Sequence, residues 1–313
     1  MLNIGNLQVN SNFLLAPMSG VTDYPYREIV KKFKPGLVFS EMIASRALLA
    51  QNSKTMKMIK KTDNYLSAVQ IAGCDPEVMA EASKICEDNG ADIIDINMGC
   101  PVKKVVNGYA GSALMKDEIL ATKILESVSN SVKVPVTLKM RKGWDDNSLN
   151  APKIAKIAED SGIKMITIHG RTRCQMFKGK ADWDFVSKVK ECVNIPVLVN
   201  GDVKDTNDLN KSLNQSNADG VMIGRGAYGK PWIFDEIREK KSEYKISKLL
   251  KKQIILEHYD LNLNHYGLEI GVKNFRKHLG WYSKTIANSN EFRSKMNICN
   301  DPKKIKKMIN DFF

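Results

Sequence analysis

Short apolar runs, separated by longer stretches with helical spacing, recur along the chain as far as residue 226. The runs are nearly continuous in Val, Ile and Leu, which is typical of parallel strands buried on both faces. They lie at 13–16, 36–40, 66–72, 93–96, 134–139, 164–170, 195–202 and 220–226. The intervening spacing predicts helices, among them 76–87, 117–129 and 151–161. The pattern is therefore that of eight consecutive βα units.

Eight such units predict an α/β fold, a (β/α)8 TIM barrel. A Rossmann sheet is the structural alternative, but no G-x-G-x-x-G motif follows an early strand. The strand pattern stops near residue 242, and 246–313 has helical spacing with many lysines. We therefore predict a barrel domain over 1–241 and a small all-helical domain over 242–313 that packs against it.

The charge of the chain adds a class of partner to this prediction. The net charge is +13, and residues 241–313 carry fifteen Lys and Arg against seven Asp and Glu. Such a surface suits a nucleic acid, although a Lys-rich surface alone leaves that open. No apolar run reaches the ~18 residues of a membrane span. The start of the chain does not have the pattern of a signal peptide.

The six cysteines are scattered and form no C-x-x-C pair. This pattern indicates neither a zinc site nor a disulfide framework, and no other metal-ligand cluster is visible. A protein of the reducing cytoplasm, without a metal, is the simplest expectation. We also expect a monomer.

One predicted strand ends in a turn with unusual chemistry. The run 93–96 stops at Asn97-Met98-Gly99-Cys100-Pro101. Glycine permits unusual backbone angles and proline fixes φ, so Cys100 is expected on a stiff turn where parallel α/β proteins place their chemistry. A small buried cysteine is the alternative. The glycine-containing run 107–112 that follows indicates a segment folded close to a ligand.

Polar side chains also follow most of the other predicted strands. In a barrel these strand ends lie on one rim, and stability alone does not require polar groups there. They are Gln70, Asn97, Cys100, Lys139, Arg141, His169, Asn200, Asp202 and Arg225.

The last two strand ends favour a phosphate site. Gly201 and Gly224 would expose backbone N–H groups, and Arg225 adds a positive charge. Lys139 would place a fixed charge beside a cofactor ring, so a phosphate-bearing cofactor such as FMN is the preferred interpretation. Two simple glycine turns, a Lys139 ion pair with a carboxylate such as Asp95, and an ordinary core histidine at His169 are the structural alternatives.

Several stretches are similar to the tRNA-dihydrouridine synthases, and to the bacterial B-type branch in particular. The most specific are Asn97-Met98-Gly99-Cys100-Pro101 and Ile168-His169-Gly170-Arg171-Thr172. The other matching stretches, in the order of the family, are 16–23, 138–144, 200–202, 224–227 and 276–282. The resemblance thus spans almost the whole chain.

The resemblance implies an FMN enzyme that uses NADPH, or NADH, to reduce a uridine of tRNA to 5,6-dihydrouridine. Hydride would pass from reduced FMN to C6, and Cys100 would give a proton to C5 as general acid. The B-type branch implies position 17 of the D-loop. Asn97 and Arg141 would contact the uracil, and the basic helical domain would bind tRNA. The residues implied for FMN are Ala16, Pro17, Met18, Gln70, Lys139, His169, Asn200, Gly201, Asp202, Gly224 and Arg225.

Two other functions stay open. An FMN barrel acting on a free pyrimidine, such as dihydroorotate dehydrogenase, also pairs a flavin with a thiol or hydroxyl. The basic last quarter of the chain argues against it, because a small substrate needs no such surface. A basic RNA-binding protein built on an inactive barrel is the second, and the complete set of rim residues argues against that.

Overall fold

The structure, a computed structural model, describes residues 1–240 and 246–313. Its strands are β1 Leu2–Ile4, β2 Leu7–Val9, β3 Phe13–Leu15, β4 Val38–Phe39, β5 Ile43–Ala44, β6 Ser67–Ala72, β7 Ile93–Met98, β8 Val136–Arg141, β9 Met165–His169, β10 Val197–Asn200 and β11 Gly220–Ile223. Each of the eight predicted strands has a counterpart, from β3 to β11 without β5. The predicted boundary between residues 241 and 242 lies outside the described residues, and the division into two domains stays a prediction.

Helices follow most of these strands and also make up the last part of the chain. They are α1 Tyr24–Val30, α2 Ser45–Leu49, α3 Ser53–Ile59, α4 Pro76–Asp88, α5 Lys103–Val106, α6 Glu118–Ser131, α7 Ala151–Asp160, α8 Asp184–Lys190, α9 Thr206–Ser216, α10 Ile233–Glu239, α11 Lys248–Tyr266, α12 Leu268–Ser283, α13 Ser289–Ile298 and α14 Pro302–Phe312. Short 3₁₀ helices span Lys31–Phe33, Gly111–Lys116 and Arg225–Ala227. In the described part of the chain, no helix combines the length and the apolar character needed to cross a membrane.

The barrel is a parallel sheet with the strand order β3-β11-β10-β9-β8-β7-β6-β4, and β5 pairs with the end of β6. Its two ends meet, because Leu15 N donates to Leu37 O at 3.0 Å and Gly36 N donates to Phe13 O at 2.8 Å. The eight strands therefore form a ring with helices around it, and the predicted TIM barrel is confirmed. The carboxyl ends of the strands lie together on one side, which is called the rim below.

A hairpin that the sequence did not predict closes the opposite end of the barrel. Strands β1 and β2 pair in antiparallel fashion, and their buried side chains join the same apolar cluster as Leu14 and Leu198 inside the barrel. A Cβ on Gly5 in the hairpin turn would lie 3.2 Å from Pro135, just before β8. In β1 and β2 apolar and polar residues alternate over only three positions, which is too short for the alternation to predict a strand.

The carboxyl-terminal helices α11 to α14 pack on one another and on the barrel. Tyr26 of α1 lies 5.5 Å from the rings of both His258 and His278, and Tyr228 stacks on Trp281 at 4.2 Å. Aromatic side chains contribute large contact areas, so this face is an extensive apolar joint. The all-helical end of the chain is confirmed, and it contacts the barrel close to the rim.

Candidate active site

The rim surrounds a cleft of about 1360 Å³. All fourteen residues proposed from sequence for cofactor binding, substrate binding or catalysis line this cleft. They are Ala16, Pro17, Met18, Gln70, Asn97, Cys100, Lys139, Arg141, His169, Asn200, Gly201, Asp202, Gly224 and Arg225. The barrel topology brings them together from strand ends far apart in the chain. Their individual roles stay predictions.

The ends of β10 and β11 form a tight backbone cradle. Gly201 has a φ of +122°, and a Cβ there would lie 2.8 Å from Ala181 Cβ and 3.0 Å from His169 Cδ2. A Cβ on Gly226 would lie 2.3 Å from the Val203 carbonyl oxygen. Only glycine fits at such positions without displacing its neighbours. The two segments therefore approach each other and the cleft more closely than side chains would allow.

Asp202 holds this cradle together through ion pairs with two arginines and a hydrogen bond from the backbone. Its Oδ2 accepts from Arg171 Nη2 at 2.5 Å and from Ala181 N at 2.8 Å, and its Oδ1 accepts from Arg225 Nη2 at 3.3 Å. Burial raises the pKa of this carboxyl, but the hydrogen bonds from Arg171 and Ala181 outweigh it, so the pKa is lowered. Asp202 therefore holds Arg225, whose side chain is 51% exposed, beside the cleft.

His169 at the end of β9 is neutral at physiological pH. Burial lowers the pKa of the imidazole well below its usual range, and the charges of Lys139, Arg141, Arg171 and Arg225 lower it further. Its Nε2 lies 3.3 Å from Arg171 Nη1. Because arginine can only donate, Nε2 is the acceptor and the ring proton is on Nδ1. The ring offers a neutral N–H donor at a wall of the cleft.

Lys139 is a partly buried cation that lines the cleft. Its Nζ donates to Asn200 Oδ1 at 3.0 Å, and Asn200 Nδ2 donates to the Met222 carbonyl at 2.7 Å. Burial, and next the charge of Arg141, lower the pKa of Lys139 to about 8. The amine is therefore mostly protonated at pH 7, and its charge is poorly screened by water.

Asp95, the carboxylate considered as a partner of Lys139, is held by neutral groups instead. Its two oxygens accept from Gln70 Nε2 and from Thr137 Oγ1, each at 2.6 Å, across the paired strands β6, β7 and β8. Burial raises the pKa of Asp95 to about 6, against these two hydrogen bonds and the charge of Lys139. At neutral pH an acceptor-only carboxylate fixes the orientation of the Gln70 amide.

Hydrogen bonds connect the Gln70 amide to the turn that carries Cys100. Gln70 Oε1 accepts from Asn97 Nδ2 at 2.8 Å, which leaves Asn97 Oδ1 facing the turn. Asn97 Oδ1 then accepts from Gly99 N at 3.1 Å and from Cys100 N at 2.9 Å. A polarised chain of amides thus runs from Asp95 to the residue that carries the thiol. It explains the stiff turn at the end of β7 and gives Asn97 a structural role.

The run after Cys100 folds back on it, as the sequence indicated. Ser112 N and Ser112 Oγ donate to the Cys100 carbonyl at 3.1 and 2.9 Å. Gly111 has a φ of +62°, and a Cβ there would lie 2.8 Å from that carbonyl oxygen. The segment forms α5 and a 3₁₀ helix rather than an irregular loop.

Arg141 at the end of β8 holds two neighbouring loops. Its Nε donates to Gly99 O at 2.7 Å, and its Nη1 donates to Thr172 O at 2.8 Å and to Met176 O at 2.9 Å. The side chain is buried, and burial is the main cause that lowers the pKa of the guanidinium to about 10. Arg141 thus braces the turn before Cys100 against the loop after β9, in addition to lining the cleft.

Comparison with known proteins identifies the family of the chain. A family profile described as "Dihydrouridine synthase (Dus)" matches residues 14–313. The chain belongs to the dihydrouridine synthase (Dus) family. The resemblance stated from the sequence motifs is therefore confirmed.

Curated relatives agree with the Dus assignment, and a solved structure shares the fold. The "Probable tRNA-dihydrouridine synthase" of Rickettsia conorii is 53% identical over 100% of this chain and 96% of its own length. The "tRNA-dihydrouridine synthase B" of Vibrio parahaemolyticus is 43% identical over 95% and 94%. An old yellow enzyme homologue from Zymomonas mobilis shares the fold, with a TM-score of 0.57 at 13% identity, over 80% of this chain and 94% of its own.

Several cleft residues of this Dus family member were not proposed from sequence. Arg171 is one, although it stands in the His169 motif. Phe177 is another; it is half exposed and lies near the guanidinium carbons of Arg141 and Arg225, at 5.6 and 5.1 Å. Trp281 of α12 also lines the cleft. The matching stretch 276–282 was the only sequence signal for that contribution.

Proposed function

We propose that this protein is a tRNA-dihydrouridine synthase that reduces uridine to 5,6-dihydrouridine at position 17 of the D-loop. One feature of the cleft supports this function most directly. The Cys100 turn, the partly buried cation Lys139 and the glycine cradle with Arg225 line the same cleft. The names of two relatives matched over nearly their whole length, one of them a "tRNA-dihydrouridine synthase B", support the tRNA substrate and the B-type branch.

The residues of the cleft fit FMN. A phosphate carries negative charge, and the ends of β10 and β11 offer a half-exposed arginine beside glycines that a Cβ would block. Asn200, Gly201, Asp202, Gly224 and Arg225 would hold that part of the cofactor. Its remaining contacts would come from Ala16, Pro17, Met18, Gln70, Lys139 and His169. When bound and reduced by NADPH or NADH, FMN would supply the hydride for C6 of the uracil ring.

Cys100 would supply the proton. Negative charge develops toward C5 and O4 of a uracil that accepts hydride at C6, so an acid must reach C5. The thiol at Cys100 Sγ would give its proton to C5, and the amide chain from Asp95 through Asn97 holds the backbone that carries it. The charge of Lys139, which is partly shielded from water, would stabilise the negative charge that develops during transfer.

Asn97 and Arg141 would bind the uracil. Among the described residues, Arg141 Nη2 makes no hydrogen bond, while Nε and Nη1 are used on three loop carbonyls. Nη2 is therefore the guanidinium nitrogen available for a uracil oxygen. Because Arg141 is fixed by the loops, its contact with the base would be preorganised.

The target base must leave its stack in the folded tRNA to enter a cleft of this depth. The Lys-rich helices α11 to α14 would supply contacts to phosphates, which give affinity without reading sequence. We expect one protein chain to act on one tRNA. The cytoplasmic location expected from the sequence stays a prediction.

A purified full-length sample tests the function. We expect a bound flavin with its visible absorption, and NADPH oxidation that depends on tRNA lacking dihydrouridine. Reaction with orotate or another free pyrimidine, but not with tRNA, would favour the rival enzyme. A protein without flavin affinity would contradict both enzymatic functions. Sequencing the treated tRNA for dihydrouridine tests position 17 separately, since reduction elsewhere would refute the position alone.

A further inference from the structure

The cleft segment that includes Ala16, Pro17 and Met18 is a turn rather than a free loop. Ala16 N donates to Ile223 O of β11 at 2.8 Å. Met18 N donates to Thr22 Oγ1 at 2.9 Å, and Met18 O accepts from Thr22 N at 3.0 Å. These bonds tie Met18 to the residues immediately before α1. Whatever fixes the start of α1 therefore also fixes this wall of the cleft.

Asp23 fixes the start of α1 and is only 3% exposed. Its Oδ1 accepts from Tyr26 N at 3.0 Å, which makes it the N-cap of the helix. Its Oδ2 accepts from Tyr266 Oη at 2.9 Å and from Asn274 Nδ2 at 3.5 Å. Tyr266 ends α11 and Asn274 lies in α12. One buried carboxylate therefore joins the cleft turn to the carboxyl-terminal helices.

A second contact joins the same two parts. Glu41, after β4, accepts a hydrogen bond from Gly20 N in the turn, and a Cβ on Gly20 would lie 3.9 Å from Lys277 Nζ of α12. Lys277 also donates to Asn274. Burial raises the pKa of Asp23, whereas the bonds from Tyr26 and Tyr266 lower it, so the carboxylate depends on these donors.

We propose that Asp23 and Tyr266 are positioning residues for the flavin, through the turn that carries Met18. The inference rests on the proposed function in that it takes this cleft wall to contact the flavin. In this arrangement the docked helices set the geometry of the cofactor wall as well as presenting basic surface to tRNA. A phenylalanine at position 266 keeps the ring and removes only the donor, which leaves Oδ2 short of its nearest partner.

The full-length Tyr266→Phe variant tests this directly, with Tyr259→Phe as the matched control. Tyr259 lies in the same helix, but its hydroxyl donates to Pro302 O at 3.3 Å within the carboxyl-terminal helices. We expect Tyr266→Phe to raise the FMN dissociation constant about tenfold, as for loss of one charged hydrogen bond. Tyr259→Phe should leave it within about twofold, a change of about 0.4 kcal/mol. The visible circular dichroism of the bound flavin should change only in Tyr266→Phe.

Equal FMN affinity in Tyr266→Phe, Tyr259→Phe and the parent protein would overturn the inference. So would equal weakening by both, which would show a general loss of order in the helices. If parent protein itself binds no flavin, the proposed function fails first, so the two failures are distinguishable.

Changes at position 23 keep the idea testable if Tyr266→Phe folds poorly. Asparagine is a good N-cap and its amide can donate to the Tyr266 hydroxyl, whereas alanine can do neither. We expect Asp23→Ala to weaken FMN binding at least as much as Tyr266→Phe, and Asp23→Asn to recover most of it. Similar FMN affinity for Asp23→Ala and the parent protein would overturn the role of the carboxylate.

Discussion

The two sides of the cleft are held in place by different kinds of contacts. At the ends of β10 and β11 the braces are charged, with Asp202 between Arg171 and Arg225. At the ends of β6 and β7 the braces are amides in series, from Gln70 to Asn97 to the backbone of Cys100. The first side gathers positive charge beside glycines, and the second holds the backbone of the thiol-bearing turn through neutral amides.

This difference fits two different tasks. An anion is bound by fixed positive charge, and a charged brace such as Asp202 can hold arginines in place without neutralising the site. A proton donor needs a defined position, and amide hydrogen bonds give position with little change in local field. Lys139 lies where the two sides meet, since its strand pairs with β7 and its Nζ contacts Asn200 of β10.

The largest effect is expected from Cys100→Ala on the amide side. General acid catalysis contributes about 10²- to 10⁴-fold, so the rate of uridine reduction should fall by about 10³-fold. FMN and tRNA affinity should be kept, because the backbone contacts of the turn do not involve Sγ. Single-turnover reduction with pre-reduced enzyme measures the step. The control is Cys192→Ala, an exposed cysteine whose Sγ contacts Lys188 O; parent-like turnover in Cys100→Ala would refute the acid role.

Gly201→Ala should produce the next largest effect, on the charged side. The new Cβ would lie 2.8 Å from Ala181 and force a strained φ, so the cradle must open. We expect FMN affinity to fall about 100-fold, which is about 2.7 kcal/mol of binding free energy. Gly90→Ala is the control, because Gly90, just after α4, also has a positive φ but a Cβ there would meet only Lys61 Cδ, at 3.8 Å. Equal FMN affinity in the two variants would show that the cradle does not contact the cofactor.

The sequence carried more information about which residues lie on the rim than about what holds them. Each near-continuous apolar run stops where its strand ends. The polar residue that follows can therefore be assigned to the rim from its place in the sequence. Asn97 and Arg141 were predicted on the rim, and they are there. That their hydrogen bonds go to loop backbones was not predictable, because it depends on how β7, β8 and the loop after β9 pack. Those contacts arise only in the folded barrel.

Residues that support the site from other elements gave weaker signals. Asp95 lies within an apolar run, and its partners come from the two neighbouring strands. Asp23 and Tyr266 are 243 positions apart in sequence. No pattern along one segment indicates such a pair, whereas the fold brings them into contact.

A Gln70→Glu change places a negative charge in the series of amides that runs from Gln70 to Cys100. Burial raises the pKa of Asp95 from near 4 in the unfolded chain to about 6 in the folded protein. The contribution of this group to the free energy of unfolding is therefore fully present below about pH 4 and is lost as the pH rises through about 6. At high pH a glutamate at position 70 has no proton to donate to Asp95, and the two negative charges repel each other. The loss of stability with rising pH should therefore be larger than in the parent protein. We expect Gln70→Glu to be about 2 kcal/mol less stable than the parent at pH 8, and close to it at pH 5.

Urea unfolding at several pH values measures that difference. Gln215→Glu is the matched control, since Gln215 also lines the cleft but is exposed on α9. It should show no comparable dependence on pH. A pH-independent loss in Gln70→Glu would mean that packing, rather than charge, governs position 70.

The smallest effect is expected from Arg225→Gln, and it tests whether the charged side acts through charge. The side chain is half exposed, so its attraction for a phosphate is partly screened by salt. We expect about tenfold weaker FMN binding, or about 1.4 kcal/mol, at low ionic strength. Titrations at increasing KCl should show a smaller salt dependence than in the parent. Arg46→Gln, which changes an exposed arginine paired with Asp75 on the outer helices, should keep the parental salt dependence. If Arg225→Gln keeps it too, the distinction between a charged and a neutral side of the cleft does not describe cofactor binding.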